Sequence, residues 1–398
     1  MTSRTRTQEG QQTIGLPWIE DLVSINTVSR NPNLELIELV RDRLLRQGIK
    51  SILTRDKRDG WSNLFATIPS HDGRDNGGVV LSGHTDVVPV DGQHWTSDPF
   101  RPVVRDGRLY GRGTCDMKGF IGTVLALVPE MLSAKLKRPV HIALSFDEEV
   151  GCLGVPLLIA DMRERGINPE ACIVGEPTSM QPVVGHKGIN TFRCCVRGVA
   201  AHSSLTPNGV NAIEYAARLI CHIRDVADRF RRTGPFDDAY DVPFSTAQTS
   251  TINGGNAINT VPAQCDFELE FRNLMLMEPI AIFREIEEYV RLSLLPEMQA
   301  QNSAASIEFM PIASSPGLEA AEEAAITQLV RALTGGQKKR KVAYGTEAGL
   351  FSQAGIPSIV CGPGDIRQAH RADEYVSLEQ LSACEAFLRK LIRSMESL

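Results

Sequence analysis

Short apolar runs alternate along the chain with longer segments whose apolar residues recur at spacings of three and four. The runs at 77–84, 139–146, 171–175 and 357–362 are rich in Val, Ile and Leu and do not alternate with polar residues. That pattern predicts strands of a sheet covered on both faces. The periodic segments 119–132, 155–165, 320–333 and 378–394 predict helices. Strand alternating with helix predicts an α/β fold, with a mixed, largely parallel sheet covered by helices. The middle of the chain differs. Segments 191–198, 246–252 and 259–272 mix apolar and polar residues, as half-exposed antiparallel strands do, and 210–230 and 279–295 fit amphipathic helices. The expected organisation is therefore a first part at 1–184, an inserted α+β domain at 185–292 and a second part of the frame at 293–398. Hinges are expected around 184–188 and 273–279.

The 398 residues are ample for a packed core without disulfides. Lys and Arg number 42 against 48 Asp and Glu, a net charge of −6. The basic residues are scattered, so a nucleic-acid partner is not expected. The cluster Lys338, Lys339, Arg340 and Lys341 has no interleaved aromatics and is expected to be a solvated turn before a strand. No run approaches the roughly 18–20 apolar residues of a membrane span, so no membrane role is expected. The opening MTSRTRTQEGQQ lacks an apolar signal core and is expected to be a frayed tail. Nine scattered Cys, none in a CxxC pair, fit buried reduced thiols and a cytoplasmic location. His71, His94, His141, His186 and His222 carry no predicted role.

The chemistry sits where the predicted strands end. One ends at His84, followed by Thr85 and Asp86; another leads into Asp147, Glu148 and Glu149; a third leads into Glu176; and His370 follows the last. Asp116 precedes the helix at 119. In an open α/β sheet, ligands bind outside the carboxyl ends of the strands. Five connections thus deliver two His and at least three carboxylates to one rim. Single acids at strand ends are ordinary caps, but like charges gathered together cost free energy unless a cation neutralises them. Imidazole and carboxylate without thiolate suit zinc, cobalt or manganese in a catalytic site.

Seven stretches, SGHTDVVP, YGRGTCDMKG, SFDEEVGCLG, VGEPT, GVAAHSS, GGNAINTVPA and GPGDIRQAHRADEYV, occur in the order found in the dinuclear-zinc amidohydrolases and peptidases. The chain resembles that family from about Leu16 to its C-terminus. The resemblance implies two divalent ions, zinc foremost and cobalt as the alternative. It implies Asp116 as a bridge between them, His84 and Glu176 completing one ion, and Glu149 and His370 completing the other. Glu148 would be the general base, and Asp86 the acid that accepts the free imidazole N–H of His84. His202 would donate to the oxyanion, often across a homodimer interface formed by the inserted lid domain. Arg272 would clamp a substrate carboxylate, with Asn259 in support, although both also suit an ordinary strand surface. The implied activity is hydrolysis of a linear amide on the α-nitrogen of an amino acid. GTEAGLF and QAHRADEYV favour an acetylated ornithine, with succinyl-diaminopimelate, dipeptide or carboxypeptidase substrates as rivals. Glu347, in GTEAGLF, is the expected partner of the substrate's distant ammonium; otherwise it belongs to the first turn of a helix.

Overall fold

The computed structural model describes residues 13–397, and the predicted tail at 1–12 lies outside them. The chain forms two compact units. One comprises residues 13–184, 320–339 and 346–397; the other comprises Gly185–Glu319 and Arg340–Gly345.

The first unit is built on a six-stranded sheet in the order Ser51–Arg55, Ser62–Ile68, Val140–Ser145, Val79–His84, Ala171–Pro177, Ser358–Gly362. The last four strands are mutually parallel, and the first two are antiparallel additions at one edge. Val79–His84 and Val140–Ser145 are buried at every residue, which accounts for their unalternated apolar sequences. Helices Leu34–Arg46, Lys118–Ala126, Ala325–Thr334 and Leu378–Ser397 supply the apolar faces that complete this core. The helix Lys118–Ala126 lies unusually close to the sheet. A Cβ at Gly175 would fall 2.1 Å from the Phe120 ring, so only glycine fits immediately before Glu176. A small antiparallel sheet joins Val103–Arg105, Arg108–Tyr110 and Tyr375–Ser377.

The second unit is a four-stranded antiparallel sheet in the order Thr246–Gly254, Gln264–Asn273, Gly188–Arg197, Ser306–Ser315. Along Gln264–Asn273 the alternation is strict: Cys265, Phe267, Leu269 and Phe271 are buried and their neighbours are more exposed. The helix Ala212–Thr233 packs onto this core through Tyr215, Leu219, Ile223, Val226 and Phe230. Asn211 caps it, its Oδ1 accepting N–H bonds from Ile213 and Glu214.

Several boundaries differ from expectation. Residues 293–319 remain in the second unit because Ser306–Ser315 pairs with Gly188–Arg197, so the return to the first unit falls at Ala320. The segment 273–279 consequently lies inside the second unit, where Asn273 Nδ2 bonds the Leu274 and Met277 carbonyls. The helix expected at 119–132 is interrupted at Leu127, ahead of Pro129, and the one expected at 320–333 starts at Ala325. Asn259 precedes its strand, which begins at Gln264 after Pro262. Lys341 is buried rather than solvated; it pairs with Asp237 and Glu319 in the short strand Lys341–Val342. None of the nine Cys is in a disulfide, and eight of them are buried. Among the described residues no helix is long and apolar enough to cross a membrane.

Candidate metal centre

The parallel strands of the first unit deliver their last residues to one rim. His84 ends its strand and is 1% exposed. Its Nε2 lies 2.9 Å from Asp116 Oδ1 and 3.7 Å from Glu176 Oε1. His370 Nε2 lies 3.3 Å from the other Asp116 oxygen and 3.0 Å from Glu149 Oε2. Asp116 thus turns one carboxylate oxygen toward each imidazole. Donor atoms of His84, Asp116 and Glu149 all lie within 4.8 Å of one another, and so do those of His84, Glu148 and Glu176. Asp116 and Glu176 are buried, whereas His370 is half-exposed at the opening of the rim. Backbone geometry aims two of these connections: Asp147 and His370 have φ of 55° and 61°, left-handed values uncommon outside glycine.

The electrostatics are those of a crowded anionic cluster. Burial pushes the carboxyls of Glu148 and Glu176 well above their usual range, and neighbouring carboxylates push the same way. Glu149 is raised by burial and by Asp116. Burial opposes protonation of both imidazoles, yet the carboxylates around them prevail. His84 rises well above its ordinary value through Asp116 and Asp86, and His370 is raised to about 10 through Asp116 and Glu149. Asp116 itself is held low, against its burial, by the two imidazoles. Such a cluster balances its charge with protons, which a divalent cation would displace. Imidazole and carboxylate donors without thiolate fit zinc, cobalt or manganese.

Asp86 meets His84 chiefly through its backbone. His84 Nδ1 is 2.9 Å from the Asp86 backbone carbonyl, while the Asp86 carboxylate is 3.6 Å away. That carboxylate accepts the Ser29 hydroxyl at 2.7 Å and the backbone N–H groups of Glu148 and Glu149 at 3.1 and 3.3 Å. It therefore holds the Glu148–Glu149 turn against the His84 strand. Glu347 lies within electrostatic reach of His84 and Glu148. It is fully buried, and its oxygens accept the hydroxyls of Ser82, at 3.2 Å, and of Ser145. Its partners Ser82 and Ser145 belong to two strands too distant in sequence for spacing to connect them.

In the second unit, His202 and Asn259 are exposed and adjacent: His202 bridges Thr260, and Ser203 N–H donates to the Asn259 carbonyl at 3.0 Å. Ser204 N–H donates to His202 Nδ1 at 3.2 Å, so the neutral ring carries its proton on Nε2. Arg272 is already paired: its Nε and Nη2 lie 2.9 and 3.3 Å from the two oxygens of Glu270. Glu270, Ser29, Arg58, which pairs with Asp147 at 2.7 Å, and the buried pair Arg112–Glu374 have no counterpart among the predicted residues. Arg112 and Glu374 lie inside the quoted stretches YGRGTCDMKG and QAHRADEYV, so their position in those motifs was the available signal.

Residues 80–394 match the model of peptidase family M20/M25/M40. The chain is 35% identical over 364 residues to an acetylornithine deacetylase of Pasteurella multocida, covering 90% of this chain and 91% of that protein. Its fold is similar to that of an M20 metallo-carboxypeptidase from Sulfolobus solfataricus, with a TM-score of 0.74, 16% identity and 96% and 99% of the two chains covered. It is also similar to that of a dinuclear metal-binding M20 peptidase from Bacillus subtilis, with a TM-score of 0.65, 14% identity and 96% and 98% covered. At those identities the solved structures speak for the fold alone.

Proposed function

The chain belongs to peptidase family M20/M25/M40, and from that premise we propose that it hydrolyses N-acetyl-L-ornithine to L-ornithine and acetate with two divalent ions, a step of arginine biosynthesis. The observation that carries the chemistry is the convergence of His84, Asp116, Glu148, Glu149, Glu176 and His370 on one rim of the parallel sheet. The deacetylase relatives, of near-equal length, favour the acetylornithine substrate over a succinylated one.

His84, Asp116 and Glu176 would hold one ion, and Asp116, Glu149 and His370 the other. The division of the two Asp116 oxygens between the imidazoles supports this assignment. Zinc is the ion the donor set suits best, with cobalt as the alternative. Bound there, two such ions supply Lewis-acid polarisation of a carbonyl and lower the pKa of water. Glu148 takes the proton of the attacking water and returns it to the leaving amine. Its grouping with His84 and Glu176 supports that role. Asp86 orients Glu148 through its backbone N–H. His202 Nε2–H donates to the developing oxyanion, and Arg272 receives the substrate carboxylate, exchanging part of its pairing with Glu270. Asn259 steadies the His202 loop. We place the protein in the cytoplasm on its nine Cys outside any disulfide, and as a homodimer through the second unit, whose outer strands Thr246–Gly254 and Ser306–Ser315 each have one edge with no strand paired to it among the described residues.

A hydrolysis panel tests the substrate. With zinc or cobalt added, N-acetyl-L-ornithine should be cleaved faster than N-acetyl-L-methionine and much faster than N-succinyl-diaminopimelate. If the succinylated substrate ranks first, the substrate assignment fails while the metal chemistry stands.

A further inference from the structure

Glu374 and Arg112 are each 1% exposed and face one another at 2.7 Å. The second oxygen of Glu374 accepts three backbone N–H groups of a single turn: Gly113 at 3.0 Å, Cys115 at 2.9 Å and Asp116 at 3.1 Å. Arg112 also reaches other loops through Nη1 and Nη2, while its buried Nε has no partner among the described residues. It reaches the Arg371 carbonyl at 3.3 Å, the Gln93 side-chain oxygen at 2.6 Å and the Pro89 carbonyl at 3.5 Å. Gln93 in turn donates to the His370 carbonyl at 3.2 Å. The strand pairing of Tyr375 with Tyr110, and the Gly111 N–H bond to the Glu374 carbonyl at 3.0 Å, bring the two segments together.

We propose that the Glu374–Arg112 pair is a positioning element of the metal centre, fixing the turn that carries Asp116 in register with the loop that carries His370. This inference rests on the functional reading above, in which those two residues are ligands of one ion. The pair touches no proposed ligand side chain, since its grip on Asp116 is through the backbone N–H. Stability alone is a poor account of it. A buried ion pair contributes little compared with apolar residues of the same volume, whereas breaking one leaves an unpaired buried charge. What such a pair does supply is geometry: three charge-assisted bonds from backbone donors of one turn onto one oxygen define one conformation of that turn. Groups that orient ligands in this way typically contribute a factor of ~10–100 in metal affinity.

The test is a calorimetric titration of metal-free protein with Zn²⁺, set beside thermal unfolding of the same metal-free samples. Glu374→Gln keeps the shape and an acceptor oxygen but removes the charge facing Arg112; Arg112→Lys keeps the charge but not the fork. Each should weaken the more weakly bound ion by ~10–100-fold, with secondary structure retained. Glu374→Asp keeps the charge on a shorter stem and covers the case in which Glu374→Gln does not fold; it should give a smaller loss of the same kind. Leu388→Ala, in the core helix Leu378–Ser397, serves as the purely structural comparison and should lower the melting temperature without changing Zn²⁺ affinity. If the variants bind two Zn²⁺ within twofold of the wild-type affinities while melting lower, the pair is structural only and the proposal is overturned. If the wild-type protein binds no Zn²⁺ at all, the functional reading itself fails and takes this inference with it.

Discussion

The two units hold their chemical groups in contrasting ways. In the first, His84, Asp116 and Glu176 are at most 5% exposed, and each is delivered by a strand end or by a turn tied from several sides. In the second, His202 and Asn259 lie on the surface, held by one bridge and a few local hydrogen bonds, and Arg272 is neutralised by Glu270. The first arrangement spends burial on bringing like charges together, which suits a cation. The second leaves single donors accessible, which suits a substrate that arrives and leaves. Histidine shows the same division. Carboxylates raise His370 to about 10, whereas burial lowers His186 to about 4.

The sharpest separation of the two regions should come from Glu148. Glu148→Gln cannot accept the water proton, so turnover should fall by about 10²–10⁴-fold while two ions remain bound. Metal analysis and steady-state kinetics on the same preparation check this. Retention of more than a tenth of the wild-type turnover would remove Glu148 from the proton transfer and leave only its place in the cluster.

A smaller loss is expected from the exposed unit. His202→Ala should lower kcat by about 10²–10³-fold, the usual effect of deleting an oxyanion donor, with metal content and metal affinity unchanged. Mixing His202→Ala subunits with Glu148→Gln subunits then asks which chain the imidazole serves. Activity recovered after verified subunit exchange places His202 in its partner's site. A loss below threefold in the single variant means that the second unit contributes no oxyanion donor, and the contrast between the units collapses to one of stability.

What was legible in the sequence follows the same boundary. The parallel strands could be located because burial on both faces removes alternation, and their terminal acids and imidazoles followed directly. His84, Asp116, Glu149 and Glu176 are brought together by topology that a run of strand, acid, helix predicts. Ser306–Ser315 was not legible: it is an edge strand interrupted by Pro311, with little alternation to mark it. Nor was the fate of Glu347, since its serine partners lie 202 and 265 residues away and nothing local distinguishes a buried floor residue from a helix start. Glu374 is a similar case, standing 258 to 261 residues beyond the N–H groups it organises. Lys341 looked solvated because it continues a basic run, yet the acids that bury it, Asp237 and Glu319, come from elsewhere in the second unit.

The smallest expected effect concerns pH and the second unit. His186 is fully buried in the short strand Gly185–His186, its Nδ1 3.0 Å from the Lys187 carbonyl. Burial favours the neutral ring and lowers its pKa from 6.5 to about 4. The sign of the pH dependence follows. Between those values the unfolded chain takes up a proton that the folded unit refuses, so stability falls as pH falls through that window. The loss is fully absent above the unfolded value. At pH 5.5, one pH unit below it, the cost should be on the order of 1 kcal/mol, and it should grow further below pH 4. The rim glutamates of the first unit carry the opposite sign: their carboxyls are raised, so without a cation mild acidification favours their folded state. Urea unfolding at pH 7.5 and pH 5.5 of wild type and of His186→Gln, whose side chain does not titrate, isolates the histidine from those glutamates. The wild type should lose on the order of 1 kcal/mol more than the variant over that interval. An equal loss in both proteins would show that His186 is charged or relieved in the folded state, and that the second unit does not hold a neutral imidazole at its core.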